Sequence, residues 1–412
     1  MHPELRKAVD VARWRLCLGC GACAVACERG NILLEDYPGI GIRPRMRGAD
    51  CDGCGKCIEP CPGLGIAHDL RNGFESSLEE LRRDWGPILE IYEGYAADPE
   101  IRQYGSSGGA AAAITLFCLE SGLAGGALHV GKDEESPWLN KTVISRTRRE
   151  IVERTGSRYS PASPCDGLGE IRRASSPHVF VGKPCDIQGL RKSESLGPEL
   201  RGNVALAVGI FCAGTPATAG ILDLLARLRI SGEELQDIRF RGNGWPGSLS
   251  LRLKDGNCRS GELSYADSWG FLQKYRPFRC YLCPDGTSEF ADISCGDPWY
   301  RKPSCEDLGQ SLVLVRTAKG REVLQKAMEA GYLELKRVDP GVLELSQKNL
   351  LLKRKAIWGR LITMRAFGLP VPEYKGFALF KSWLELPVAD KARSVAGTAR
   401  RIMQRKYYNP LD

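Results

Sequence analysis

Two closely spaced runs of cysteine at the amino end of the chain limit how that part can fold. The first 61 residues contain eight cysteines, and both runs have the spacing C-x2-C-x2-C-x3-C. The first run is Cys17, Cys20, Cys23 and Cys27, and the second is Cys51, Cys54, Cys57 and Cys61, followed by Pro62. Such short spacing lets one loop place three thiolates on a single cluster of iron and sulfide. The pattern therefore predicts two [4Fe-4S] clusters and a role in electron transfer.

The fourth cysteine of each run is expected to bind the cluster of the other run, as in two-cluster ferredoxins. The expected ligand sets are Cys17, Cys20, Cys23 and Cys61 for one cluster, and Cys51, Cys54, Cys57 and Cys27 for the other. Glycines between these cysteines let backbone N–H groups approach the sulfur atoms. We expect residues 1–70 to form an α+β ferredoxin-like domain.

Structural zinc and disulfide bonds are the alternative uses of these cysteines. Zinc sites usually combine two C-x2-C pairs or add histidine, which eight thiolates in doubled runs fit poorly. Disulfides require an oxidising compartment. Residues 1–16 have neither the apolar core nor the cleavage site of a signal peptide. We therefore expect a cytoplasmic protein.

The composition is that of a soluble enzyme that depends on bound cofactors. Of 412 residues, 43% are hydrophobic and 26% are charged, which is enough to bury a large core. The longest apolar stretch, residues 108–119, is well short of the roughly 20 residues that a membrane helix needs. Histidine occurs four times, and none of these residues lies in a motif: His2, His68, His129 and His178. A hydrolytic triad or a histidine-rich metal site is therefore not expected.

The chain changes character after the cysteine runs. Residues 71–95 are typical of a connector with one polar helix near 78–85. From residue 98 strand-like runs alternate with helix-like runs, which predicts an α/β body in two parts, at 96–175 and 176–345. Strands are expected at 128–131, 178–182, 204–211 and 311–315, and helices at 108–120, 186–192, 216–228 and 321–330.

A polar turn, Ser106-Ser107-Gly108-Gly109, precedes a predicted helix that starts with four alanines. The unpaired N–H groups at a helix N-terminus, together with serine hydroxyls, can bind a phosphate or pyrophosphate. A serine that simply caps a buried helix would have the same sequence. The turn is thus a candidate phosphate site with a structural alternative.

Three further segments carry cysteines. Cys185 and Cys212 follow predicted strands, and Cys280 and Cys283 form a C-x2-C pair. The carboxyl ends of strands are where open α/β sheets bind ligands. Together the four cysteines could hold a third [4Fe-4S] cluster. A zinc ion bound by the four thiolates is the competing interpretation. For Cys185 and Cys212, ordinary buried thiols are a further alternative.

Seven motifs follow one another between about residues 96 and 340. They are SSGG at 106–109, GSRY at 156–159, GKPCDIQGL at 182–190, FC at 211–212, RFRGNGWPG at 239–247, CYLCPD at 280–285 and ADISCGDPW at 291–299. In this order they resemble the beta-subunit family of coenzyme F420 hydrogenases and dehydrogenases, here fused to a ferredoxin domain. Seven ordered motifs are specific for the family but not for the substrate.

The resemblance implies a flavoprotein with FAD and a [4Fe-4S] cluster of its own. The ligands that it implies for this third cluster are Cys185, Cys212, Cys280 and Cys283. It implies that the turn at 106–109 holds the flavin phosphates and that Lys183 is a cofactor-binding residue. The flavin or substrate pocket is expected to include Arg239, Arg241, Asn243, Trp245 and Asp297. A charged strand end and turn is the alternative explanation for RFRGNG.

Cys295 departs from the family pattern, which has a small apolar residue at this position, so Cys295 could compete as a ligand. The other cysteines outside the motifs are expected to be ordinary thiols: Cys118, Cys165, Cys258 and Cys305.

These features predict an oxidoreductase that relays electrons between the ferredoxin-type clusters and FAD and exchanges hydride with coenzyme F420 or a similar carrier. A flavin is expected because clusters pass single electrons, whereas a deazaflavin or nicotinamide accepts a hydride. The expected partners are a redox protein and a small-molecule carrier or substrate. The alternatives are a ferredoxin-dependent flavin reductase of an organic substrate, and a non-catalytic electron-transfer subunit of a larger complex.

The carboxyl-terminal tail, residues 346–412, is expected to be helical and basic. The formal net charge of the whole chain is +8, and residues 353–412 contain 13 Lys or Arg against 4 Asp or Glu. The tail could dock an acidic redox partner or anionic lipid headgroups by electrostatic attraction. The alternative is a solvated helix packed on the body. No nucleic-acid partner is expected, because no binding motif accompanies the charge.

Overall fold

A computed structural model gives the fold of the protein and describes residues 4–48, 51–68, 77–303 and 307–411. The expectations for His2, for Cys305 and for the first residues of the connector lie outside these ranges. Among the described residues, no helix combines the length and the apolar character needed to cross a membrane.

The described residues form fifteen β-strands and seventeen α-helices. The strands are β1 (Ile32–Tyr37), β2 (Gly41–Met46), β3 (Gly65–Ala67), β4 (Glu90–Ala96), β5 (Gly126–Lys132), β6 (Asn140–Ser145), β7 (His178–Gly182), β8 (Val204–Ile210), β9 (Leu235–Arg239), β10 (Ser248–Leu253), β11 (Cys258–Ser264), β12 (Ile293–Gly296), β13 (Ser311–Val315), β14 (Leu333–Arg337) and β15 (Glu373–Lys375).

The helices are α1 (Ala8–Arg13), α2 (Ala22–Ala26), α3 (Glu79–Trp85), α4 (Pro99–Tyr104), α5 (Ala110–Glu120), α6 (Arg148–Glu153), α7 (Leu168–Arg173), α8 (Pro184–Glu194), α9 (Pro198–Gly202), α10 (Thr218–Arg227), α11 (Tyr265–Leu272), α12 (Ala318–Glu329), α13 (Gly341–Ser346), α14 (Lys348–Lys355), α15 (Ile357–Ala366), α16 (Leu379–Leu384) and α17 (Val388–Gln404).

A mixed sheet of eight strands forms the centre of the protein, in the order β14-β4-β13-β12-β8-β7-β5-β6. The strands β12, β8, β7 and β5 are parallel to one another, and the other pairings are antiparallel. Neighbouring residues of β7 point to opposite faces: Val179 packs in the core that contains α5 and α12, and Phe180 packs in the core that contains α7 and α8. Because helices cover both faces, these strands are continuous apolar runs.

A second sheet, β11-β10-β9, is antiparallel and buries one face against α10 and α11. Ile238 and Leu251 from the sheet meet Leu224 from α10 and Leu272 from α11 in this core. The loops around this sheet lie beside the ends of β7, β8 and β12, where they contribute to the large cleft described below.

The cysteine-rich segment and the tail share one hydrophobic core. Val11 and Leu16 pack against Ile357 of α15 and Ile402 of α17. β3 pairs in parallel with β15, and the two backbones approach so closely that a Cβ on Gly65 would lie 1.8 Å from the carbonyl oxygen of Glu373. Only glycine fits such a contact. The amino-terminal segment is therefore held by the end of the chain.

The predicted elements of the body are confirmed, with small shifts at their ends. β7 and β13 occupy the predicted residues, and α5 starts at Ala110 rather than at residue 108. The expected connector differs, because Glu90–Ala96 is β4, a strand inside the central sheet between β14 and β13. The body therefore begins before residue 96. β4 was not predicted because a short strand is recognised by its pairing partners, which come from residues 311–337.

Candidate functional site

Four cysteines from both runs gather in one buried region near α1 and α2. Cys17, Cys20 and Cys23 are at most 9% exposed. Burial raises the pKa of Cys61 to about 12, and the nearby thiols of Cys20 and Cys17 contribute to this rise. The pKa of Cys23 is raised by burial and then by Cys17, Cys20 and Cys61. The structure thus brings together the set expected for one cluster, including Cys61 from the other run.

The set expected for the second cluster lies closer to the surface. Burial raises the pKa of Cys57, the backbone N–H of Ala8 lowers it by donating to Sγ at 3.4 Å, and the thiols of Cys27 and Cys51 raise it. Cys54 is exposed. Cys27 therefore stands with the second run, and Cys54 is at the protein surface.

The remaining four expected ligands line a single cavity of about 50 Å³, here called the cysteine cavity. They come from the start of α8, the end of β8 and the turn at 278–283, as Cys185, Cys212, Cys280 and Cys283. Burial raises the pKa of Cys212 to about 11, while nearby Lys353 lowers it and Cys280 raises it. Four thiols that face one buried space have the donor chemistry of a [4Fe-4S] cluster.

In the part of the chain that the structure describes, no three His, Cys, Asp or Glu side chains are arranged to hold a single metal ion. A [4Fe-4S] cluster spreads its four thiolates over four irons.

Arg279 connects the first cysteine set with the cysteine cavity. Its side chain is 1% exposed, and its Nε donates to the carbonyl oxygen of Leu16 at 3.1 Å. Cys17 also lines the cysteine cavity. Burial raises the pKa of Cys185, and Cys20 is among the neighbours that raise it further. The amino-terminal segment and the body therefore meet where two cysteine sets adjoin.

A cleft of about 1600 Å³ lies next to the cysteine cavity. Its walls come from the start of α5, the ends of β7, β8 and β12, the helix α11, and the tail helices α14, α15 and α17. Lys183, Cys212 and Lys353 line both the cleft and the cysteine cavity. The two spaces therefore adjoin each other.

The turn before α5 contributes three of its four predicted residues to the cleft: Ser106, Ser107 and Gly109. The hydroxyl of Ser106 accepts from the backbone N–H of Ser157 at 2.6 Å, and the hydroxyl of Ser107 donates to the carbonyl oxygen of Gln310 at 2.5 Å. These contacts hold the turn against two neighbouring loops.

Gly108 has a packing role. A Cβ at this residue would lie 2.6 Å from the carbonyl oxygen of Gly94. Its N–H donates to Ser311 Oγ at 3.1 Å, and the N–H of Ala110 donates to the same oxygen at 3.3 Å. Ser311, which the sequence did not indicate, thus occupies part of the helix N-terminus that was expected to face a phosphate.

Arg241 and Asp297 form a bidentate ion pair at the cleft. The guanidinium donates to both carboxylate oxygens, at 2.6 and 2.9 Å, and Trp245 Nε1 donates to the same carboxylate at 2.8 Å. Burial alone would lower the pKa of Arg241, but Asp297 raises it above its ordinary value. Two residues predicted from separate motifs therefore meet as a fixed pair.

Three predicted pocket residues lie behind the cleft wall rather than on it, as far as the described residues extend. Arg239 donates to the carbonyl oxygen of Thr155 at 3.1 Å. The backbone N–H of Asn243 donates to Gln103 O at 2.9 Å. Trp245 is 3% exposed. These residues support the wall that carries Arg241. The alternative explanation, in which this segment is a charged strand end and turn, predicts such a supporting role.

Several cleft residues were not predicted as site residues. Tyr265 and Trp299 stack with ring centroids 5.2 Å apart, and the guanidinium of Arg241 lies 4.5 Å from the Tyr265 ring. Trp299 is the last residue of the motif at 291–299, which therefore could have indicated it. His129 also lines the cleft; burial and then Arg154 lower its pKa to about 4, so its imidazole is neutral at pH 7. Tyr265 and His129 lie in no motif, so only the fold could identify them.

The tail also contributes to the cleft. Arg360 and Arg401 line it and are partly buried, Arg393 lines it but is exposed, and Arg400 and Arg405 are exposed to solvent. The tail therefore packs on the body, as the alternative explanation expected, and turns the charges of Arg360 and Arg401 toward the cleft. A docking role for its exposed charges stays a prediction.

The other cysteines separate into three groups. Cys295 lines the cleft and not the cysteine cavity, so its competition as a cluster ligand is not favoured. Cys118 is in the core, and Cys258 is exposed, as expected of ordinary thiols. Cys165 is fully buried in the core, and its thiol donates to the carbonyl oxygen of Asp186 at 3.2 Å.

Comparison with known proteins connects this arrangement with a family. Two models of the beta subunit of coenzyme F420 hydrogenase/dehydrogenase match the chain: the amino-terminal model at residues 91–168 and the carboxyl-terminal model at residues 177–341. Together the matches cover more than half of the chain. The chain belongs to the coenzyme F420 hydrogenase/dehydrogenase beta-subunit family.

Individual members of the family agree with this assignment. The coenzyme F420 hydrogenase subunit beta of Methanococcus voltae is 31% identical over 283 residues, which are 67% of this chain and 95% of that protein. The coenzyme F420-dependent sulfite reductase of Methanocaldococcus jannaschii is 24% identical over 336 residues, 78% of this chain and 47% of that protein. These relatives are oxidoreductases, and so is this member of the family.

The fold is similar to that of a solved relative. A chain of the F420-reducing [NiFe] hydrogenase complex from Methanosarcina barkeri matches with a TM-score of 0.55 and 25% identity, over 69% of this chain and 95% of that chain. The mixed α/β fold of the beta-subunit family is therefore present here. The cysteine runs precede the residues matched by the family models, and the tail follows them.

Proposed function

We propose that this beta-subunit family member is an iron–sulfur flavoprotein that links ferredoxin-type clusters to FAD and exchanges hydride with coenzyme F420 or a similar carrier. The observation that supports this most directly is the shared wall of the two spaces, which includes Lys183, Cys212 and Lys353. A cluster held by the cysteine cavity would adjoin a cofactor held in the cleft.

The three cysteine sets support a defined order from the surface inward. Cys54 is exposed, Cys17 and Cys20 are buried, and Cys17 reaches the cavity of the third set. We infer that a redox partner docks where Cys54 is exposed. The buried sets exclude water from the clusters, which together with the surrounding charge controls their reduction potential.

FAD fits the cleft by its size and by the polar and aromatic groups that line it. Ser106 through its hydroxyl and Ser107 through its backbone N–H would hold flavin phosphates, with Gly109 leaving room beside them. Arg241, fixed by Asp297, and the Tyr265–Trp299 stack would orient a ring system. When bound, a flavin can take single electrons from clusters and transfer them in pairs as hydride.

Anaerobic reconstitution tests the proposal. The purified full chain, supplied with iron, sulfide and FAD, is expected to bind about twelve irons and one flavin and to bleach the absorbance of oxidised coenzyme F420 when reduced by dithionite. A protein without flavin and with fewer than about eight irons would contradict it. The flavin-reductase alternative would be favoured if the protein contained the expected flavin and iron and reduced an organic acceptor but not the deazaflavin.

A second candidate is an electron-transfer subunit that acts only within a larger complex. Two observations favour it: one relative is a hydrogenase subunit, and the solved relative is part of a hydrogenase complex. Gel filtration of the protein from its native cells separates the candidates. A stable assembly with other chains supports the subunit, and a lone monomer or dimer that reduces the carrier supports the independent enzyme.

A further inference from the structure

Three arginines from separate segments converge on Tyr281 at the wall of the cleft. The guanidinium carbons of Arg276 and Arg401 lie 4.9 and 4.4 Å from the centroid of the Tyr281 ring. Arg360 donates to the carbonyl oxygen of the same residue. All four residues line the cleft. Arg276, Arg360 and Arg401 are called the arginine cluster below.

The arginine cluster has no carboxylate partner among the residues that the structure describes. Arg276 donates to the carbonyl oxygens of Ala213, at 2.7 Å, and Gln273, at 2.9 Å. The ion pairs of neighbouring tail residues use other cations, such as Arg393 with Asp390. Asp390, which also lines the cleft, is thus already paired. The positive charge of the cluster therefore faces the cleft uncompensated.

The three charges also disfavour one another. Burial and then the nearby charge of Arg401 lower the pKa of Arg360 to about 10, and Arg276 acts in the same direction. Like charges held together in a partly buried site cost free energy unless an anion joins them. Guanidinium groups are well suited to that anion, because they donate pairs of hydrogen bonds to phosphate oxygens.

We propose that the arginine cluster binds a phosphate or pyrophosphate group of a ligand held in the cleft. The inference rests on the proposed function only in that the cleft holds a redox ligand. Two ligands could carry the group: FAD through its pyrophosphate, or the hydride carrier through a phosphate of its own.

This site depends on the tail. Arg360 lies in α15 and Arg401 in α17, both beyond residue 341, where the match to the family models ends. Arg276 alone comes from the body. The tail thus adds an anion-binding wall to a cleft that the family body only partly encloses.

Binding of inorganic pyrophosphate to the full chain, reconstituted with iron and sulfide but without FAD, tests the proposal directly. The double variant Arg360→Gln and Arg401→Gln is expected to weaken pyrophosphate binding in calorimetry at least about tenfold, since it removes two charge-assisted contacts. The matched control is Arg365→Gln with Arg400→Gln, which removes one exposed charge from each of the same two helices. The control is expected to bind pyrophosphate as the wild type does.

Two further measurements identify the source of the anion. A larger dissociation constant for FAD in the double variant, with an unchanged KM for the carrier, assigns the site to the flavin. A raised KM for the carrier with unchanged FAD affinity and kcat assigns it to the carrier. If pyrophosphate binding, FAD affinity and KM all stay within twofold of the wild type, the proposal is wrong.

The two proposals can fail separately. If the protein binds neither flavin nor iron, yet loses pyrophosphate binding in the double variant, the anion site stands and the proposed function falls. If the double variant does not fold, as judged by circular dichroism, the single variant Arg401→Gln gives the same test. The buried residues of α17 that anchor the helix, Ser394, Thr398 and Ile402, are unchanged in it.

Discussion

Lys183 Nζ lies 2.8 Å from each carboxylate oxygen of Asp186, at the wall between the cysteine cavity and the cleft. Burial alone would lower the pKa of Lys183, but Asp186 and then the thiol of Cys185 raise it above its ordinary value. The lysine is therefore charged at neutral pH and stands beside two of the expected ligands of the third cluster, Cys185 and Cys212.

Replacing this lysine tests whether its charge acts on the third cluster. Lys183→Met is expected to make the reduction potential of that cluster more negative, because reduction adds negative charge that the lysine no longer balances. The variant also leaves Asp186 buried without its ionic partner, which lowers the free energy of unfolding by about 3–5 kcal/mol. Redox titration followed by electron paramagnetic resonance (EPR) measures the first effect, and denaturant unfolding the second.

Two companion variants separate charge from stability. Lys183→Arg keeps the charge and is expected to keep the potential near that of the wild type. Lys183→Met combined with Asp186→Asn removes both buried charges and is expected to recover part of the lost stability. A potential unchanged in Lys183→Met would show that the lysine does not act on the cluster.

Measuring the iron content of variants tests the four cysteines expected to bind a third cluster. Cys212→Ser is expected to lose about four of about twelve irons and to keep the EPR signals of the other two clusters. Cys295→Ala is expected to keep all of them, because Cys295 lines the cleft and not the cysteine cavity. The exposed Cys258→Ser is the control. Loss of iron in Cys295→Ala but not in Cys212→Ser would reverse the assignment.

The bidentate pair of Arg241 and Asp297 is expected to stabilise the cleft. Arg241→Lys keeps the charge but cannot form both hydrogen bonds, so it should lower the unfolding free energy by about 2 kcal/mol and weaken FAD binding. Arg259→Lys alters a more exposed pair with Glu262 and should change stability by less than about 1 kcal/mol. Equal changes in the free energy of unfolding for the two variants, measured with denaturant, would argue against a special role of the cleft pair.

Glu289 makes stability depend on pH. Its burial would raise its pKa, but Arg354 and then His68 lower it to about 2, from an ordinary value of 4.5. As the pH falls, Glu289 therefore takes up a proton at a higher pH in the unfolded chain than in the folded protein. This contribution to stability is complete above about pH 4.5 and is lost as the pH falls toward about 2.

Glu289→Gln is expected to lower the free energy of unfolding by about 3–5 kcal/mol at neutral pH, because the neutral amide leaves the buried charge of Arg354 without its ion pair. It should also flatten the loss of stability between about pH 4.5 and 2. The exposed Glu322→Gln, which alters a solvated pair with Lys326, is the control and should keep the profile of the wild type. Unfolding curves at several pH values measure both. Parallel profiles for Glu289→Gln and the wild type would contradict the assignment.

Patterns that are local in the chain predicted much of this protein. The spacing of Cys17, Cys20 and Cys23 indicates a cluster loop because three thiolates must reach neighbouring irons from one turn. β7 and β13 were predicted at their observed residues because a strand covered on both faces is a continuous apolar run. The pairing of Cys61 with the first run was also expected, since the cysteine spacing already implies the exchange.

Other features depend on contacts between distant segments. β4 becomes part of the central sheet only because β13 and β14 pair with it. Asn243 and Trp245 resemble pocket residues in sequence, yet they lie behind the wall that Arg241 forms.

The sequence by itself predicted the cluster chemistry and determined the family and the alternation of strands and helices, because ligand spacing and hydrophobic period are local properties. Tertiary structure alone decided that the cysteine cavity adjoins the cleft, and that Arg360 and Arg401 of the tail meet Arg276 at Tyr281. These contacts depend on the hydrophobic core that the two ends of the chain share. No short-range sequence pattern predicts that packing.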